Sequence, residues 1–165
     1  MIVVECEGPS EAALINKLLD DNLLIFNRKD ILDRRPIHFR QPKTIAPLIN
    51  ILPPEEEILF YRVGDTQKEE FDLSCFPLRE QYMTVKKVCT KPEIEILIII
   101  NENLYQQYLK VYRRFKPKQF VKAYIKNYVD FYNYIETHDL RSAIAKYKKL
   151  KNHKKEEMYL DDILK

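Results

Sequence analysis

Ile2-Val3-Val4-Glu5-Cys6-Glu7-Gly8-Pro9-Ser10-Glu11 runs from β-branched residues into a glycine. Val and Ile suit a pleated, buried strand, Gly8 permits a tight turn, and Ser10 is a residue type that caps helices. Beyond it Ala12, Leu14, Ile15, Leu18 and Leu19 recur at helical spacing, which predicts a helix over 11–20. Strand, glycine turn and helix in that order define an α/β unit. Ile58-Leu59-Phe60-Tyr61-Arg62-Val63 reads as a second buried strand, and it too ends at a glycine beside an acid, Gly64-Asp65.

Between these runs, 23–26 and 36–39 are short strand candidates. Residues 44–52 form a short helix with Pro47 in its first turn, stopped by Pro53-Pro54. Residues 85–88 suit one more strand. The β-branched run 94–100 reads as helix or strand, and local chemistry favours helix: Thr90-Lys91-Pro92-Glu93 has the form of a capping box, and Pro92 fits a first turn. From Pro117 onward helices are predicted over 118–135, 140–150 and 157–164. The fold expected is α/β, Rossmann-like, with a mostly parallel sheet flanked by helices. Residues 1–110 form its core, and 111–165 a basic helical extension packed on it.

Composition narrows the function classes. With 165 residues, 45% of them hydrophobic and 32% charged, the chain can bury one core under a well-solvated surface, so disorder is disfavoured. Two glycines exclude a glycine-rich phosphate loop of the dinucleotide or P-loop type. The longest apolar run, 96–100, is far short of the ~20 residues of a membrane span, and no basic segment precedes an apolar stretch at Met1, so a cytoplasmic protein without a membrane partner is expected. Cys6, Cys75 and Cys89 form no CxxC and read as reduced thiols. The net charge of +3 is unevenly spread: residues 110–155 carry fourteen Lys and Arg and three acids, a net +11, leaving −8 elsewhere. Such a dipole fits a carboxylate site beside a polyanion-holding surface.

Ligands of parallel α/β sheets gather at the carboxyl ends of the strands. Glu7 and Asp65 stand at two such ends. If the strands are neighbours, both carboxylates can converge on Mg²⁺ or Mn²⁺; Mg²⁺ is commonly held by one or two carboxylates with waters and substrate phosphates.

Val3-Val4-Glu5-Cys6-Glu7-Gly8-Pro9-Ser10-Glu11 resembles the first motif of Toprim domains, and its Gly-x-Ser-Glu continuation is similar to the RloB-like branch found with prokaryotic restriction and phage-defence genes. Asp65 sits where those domains carry Asp-x-Asp, and residues 91–99 resemble the Pro-x-x-Glu and apolar run that follow it. The resemblance covers roughly residues 1–110. It implies a Mg²⁺-dependent nuclease acting on nucleic-acid phosphodiesters, with Glu7 as catalytic acid-base group and metal ligand, Asp65 as metal ligand, and Glu95 as an additional ligand or anchor. The second Asp is replaced by Gln67, which supplies no negative charge; Glu69, Glu70 or Asp72 could compensate, though at other spacings. That replacement supports a second reading: a non-catalytic module that binds nucleic acid or serves a partner ATPase.

Each residue also has a purely structural use. Glu7 suits the positive end of the following helix, Asp65 an ordinary turn, Glu93 the capping box, Glu95 a half-exposed helix position and Ser10 a cap. His38, His138 and His153 lack metal-ligand spacing. In the basic segment Lys110, Arg113, Arg114, Lys116, Lys118, Lys122 and Lys126 alternate with Tyr and Phe. Most rings are expected in the core, with nucleic acid contacted by Arg113, Arg114, Lys116 and Lys118.

Overall fold

The computed structural model describes residues 1–38, 42–65, 71–77, 79–150 and 157–165, with the side chains of Pro42 and Lys43 excepted. Gln67, Glu69 and Glu70 lie outside the described residues, as do Phe39 and residues 151–156 of the basic segment.

Four parallel strands, β1 (Ile2–Cys6), β2 (Ile58–Gly64), β3 (Met83–Cys89) and β4 (Met158–Tyr159), lie side by side in chain order. Helices α1 (Pro9–Asp20) and α2 (Pro42–Asn50) separate β1 from β2. Helices α3 (Ile96–Asn101), α4 (Tyr105–Val111), α5 (Pro117–Tyr124), α6 (Phe131–Thr137) and α7 (Arg141–Leu150) separate β3 from β4. Because strand side chains alternate, Val4 and Tyr61 join a core with Leu14, Ile98, Phe120, Phe131 and Ile144, whereas Val3 and Phe60 join a second core with Ile45 and Ile49. Both faces are therefore covered, which explains why β1 and β2 are almost continuously apolar. No helix among the described residues is long and apolar enough to cross a membrane.

Several sequence expectations are corrected. Gly8, not Ser10, is the N-cap of α1: its backbone is extended and Pro9 takes the first helical position, where the missing N–H costs nothing. Residues 23–26 form no strand; Leu24 makes one antiparallel bridge to Leu164. Ile37 makes one parallel bridge to Glu5 at the free edge of β1. Helix α2 starts two residues earlier than expected and holds Pro47 in its interior.

The run from Ile96 is helical, but Glu95 is its N-cap, and the expected capping box is absent: the buried Thr90 hydroxyl has no partner among the described residues. Glu93 instead accepts the Lys118 main-chain N–H at 3.0 Å, tying the start of α5 to this loop. Since residues 96–100 are all buried, α3 is apolar all round rather than striped.

The expected helix 118–135 is two helices, because Asn127 adopts a left-handed conformation and Asp130 caps α6 by accepting the Asn133 N–H at 2.8 Å. Residues 157–164 are not helical. Met158 and Tyr159 pair with Val88 and Cys89, and a short 3-10 turn, Leu160–Ile163, follows. The Tyr147 hydroxyl donates to the Lys91 carbonyl and Lys91 pairs with Glu157 at 3.7 Å, so the last helix and strand clamp the loop after β3.

Candidate active site

Acidic side chains from three loops lie at the carboxyl edge of the sheet, within electrostatic range of one another. The Glu7 N–H donates to the Val63 carbonyl at 2.9 Å, extending the β1–β2 ladder by one residue and laying the Glu7 side chain over Gly64. A Cβ at position 64 would lie 2.7 Å from that of Glu7, so only glycine permits this approach. Asp65 follows directly, and both acids are half-buried.

Helix starts supply two further carboxylates. Glu11, in the first turn of α1, is 9% exposed, and its carboxylate folds back over Gly8. Burial above all, then the negative charges of Glu95, Glu7 and Asp65, pushes its carboxyl up to about 7. Glu95, at the start of α3, is 5% exposed; burial raises its pKa, Glu93 and Asp65 add to the rise, and Lys118 opposes it. These four acids share one field, so a proton or a cation taken by one is felt by the others.

The surroundings are polar and ordered. Arg62 donates to Glu5 at 2.7 Å and lies 5.3 Å from the Phe71 ring centroid. Lys87 is in register beside Arg62 on β3. Burial raises the Glu5 carboxyl, and Arg62 counters that rise. The His38 imidazole Nε2 hydrogen-bonds the Glu7 carbonyl at 3.1 Å. Tyr128, raised to about 12 by burial and then by the charges of Glu95 and Asp130, lies near the acids; the Tyr132 hydroxyl donates to the Pro9 carbonyl at 3.1 Å. Burial raises the Cys6 thiol well above its ordinary range, which leaves it inert as a nucleophile.

Glu7, Asp65 and Glu95 thus lie in one acidic cluster. Of the cations singled out in the sequence, Lys118 is exposed and acts on Glu95 through its charge, while Arg113, Arg114 and Lys116 are exposed along the α4–α5 connection. Sequence reasoning assigned no role to Glu11, although its place four residues after Glu7, where a helix begins, is a readable signal. His38 and Arg62 were also missed, and only the pairing of distant segments reveals them. Among the described residues no three His, Cys, Asp or Glu side chains form a ready-made cation cage. No family model, curated protein or solved structure matches the chain.

Gly64→Ala is expected to push Glu7 off the strand end. The overlap should destabilise the fold by about 1–3 kcal/mol, measured as a lower denaturation midpoint.

Proposed function

We propose that this chain is a divalent-cation-dependent phosphodiesterase that cuts nucleic acid, of the Toprim-like kind its motifs resemble. One observation carries this reading: carboxylates from adjacent strand ends and helix starts lie within electrostatic range of one another at the sheet edge where parallel α/β folds hold ligands, and Lys118 acts on one of them. The donors are hard carboxylate oxygens, which suit Mg²⁺ or Mn²⁺ and poorly suit thiophilic metals. Glu7 and Asp65, with Glu95 behind them, would hold the ion, which would supply positive charge against a phosphate oxygen. Glu7 would take the proton of the attacking water as the phosphorus–oxygen ester bond breaks and the leaving oxygen departs. Lys118 and the basic α4–α5 connection offset the repulsion between acidic site and phosphate backbone.

The test is incubation of the full chain with labelled single-stranded and duplex DNA and RNA, with Mg²⁺, Mn²⁺ or a chelator. Cleavage that requires the cation supports the proposal. Salt-sensitive binding with no cleavage under any condition would overturn it in favour of a non-catalytic module.

A further inference from the structure

A cleft of about 280 Å³ lies between α4 and the starts of α3 and α5, lined in part by Pro92, Ile96, Tyr105, Tyr108, Tyr112 and Lys116. Tyr105 and Tyr108 are three residues apart on α4, and Tyr112, four further on, is its C-cap with helical backbone, so the three rings share a face. Core packing accounts for Tyr108, which is buried with its ring edge-on to Phe120 at 5.3 Å. It does not account for Tyr112, which is 52% exposed and has the Arg113 guanidinium 5.9 Å from its ring centroid.

Charge identifies the occupant. Residues 103–129 contain seven Lys and Arg and no acid, and none of Lys110, Arg113, Arg114 or Lys116 forms an ion pair among the described residues. Uncompensated cations select an anion, and aromatic walls select a planar ring. Volume adds a limit: the cleft is at the small end of ligand sites, ~300–1,000 Å³, so it has room for one base and not for a duplex. It also adjoins the acids. Pro92 lines it, and Glu95 follows three residues later, a reach of at most about 11 Å along the chain.

We propose that this cleft holds one unstacked base of a single-stranded nucleic acid, with Tyr112 as stacking platform and Lys116 and Arg113 on the flanking phosphates. The inference rests on the phosphodiesterase reading and narrows its substrate to single strands or frayed ends. A paired base, stacked within a duplex, cannot enter unless it is extruded.

Anisotropy titrations with a labelled single strand, its duplex and an abasic strand of equal length test this. Tyr112→Ala is expected to weaken single-strand binding about 5- to 100-fold with an unchanged salt slope, and Tyr112→Phe to bind like the parent. The abasic strand should bind weakly and lose nothing further in Tyr112→Ala. Arg113→Ala with Arg114→Ala should flatten the salt slope for every strand, because phosphate contacts position without reading bases. Single-strand binding unaffected by Tyr112→Ala, in a protein that binds and cleaves, would overturn the cleft alone; a parent that binds no nucleic acid would overturn the phosphodiesterase reading with it.

Discussion

Glu7→Gln is expected to reduce cation-dependent cleavage by about 10²- to 10⁴-fold, the range for loss of a positioned acid-base group. The amide keeps the shape over Gly64 but neither carries a proton in the reaction nor offers a full charge to the ion. Asp65→Asn should behave differently. On the proposed reading Asp65 is a ligand only, so its loss should raise the Mg²⁺ or Mn²⁺ concentration needed for half-maximal cleavage, and excess cation should restore part of the rate. The melting temperature of each variant separates lost chemistry from misfolding. A Glu7→Gln protein that cleaves at the parent rate would rule out this assignment.

What the sequence discloses and what it hides follow from how local each feature is. The Ile2-to-Gly8 and Ile58-to-Gly64 runs are legible because buried parallel strands are apolar over their length and their glycines are local necessities. Met158 and Tyr159 carry no such signal. So short a run becomes a strand only because β3 is there to pair with it, so a helix was expected and a fourth strand is found. The capping box failed for a related reason: Glu93 is claimed by the Lys118 N–H, 25 residues away, before it can serve its own helix. Glu7 and Asp65 were readable from strand ends, whereas Glu11 gains its character from burial and from Glu7, Glu95 and Asp65, of which only Glu7 is near it in sequence.

Glu11→Gln is expected to stabilise the cation-free protein at alkaline pH by about 3.5 kcal/mol and to leave it nearly unchanged at pH 4. The carboxyl titrates near 7 in the fold and near 4.5 when exposed. Between those values the folded chain keeps a proton that the unfolded chain releases, so stability falls as pH rises through the window. Below it both states are protonated and the penalty is absent. Above it both are ionised and the whole penalty applies, about 1.4 kcal/mol for each of the 2.5 units separating the two values. Gln fills the same space without a charge and removes the pH-dependent part. Glu95 and Glu5 are also raised by burial and slope the same way, so the variant's curve should flatten without becoming level. Urea unfolding of both proteins from pH 4 to 8, in chelator, measures the difference. Two curves that stay parallel across that range would show that burial and the neighbouring acids do not hold Glu11 protonated.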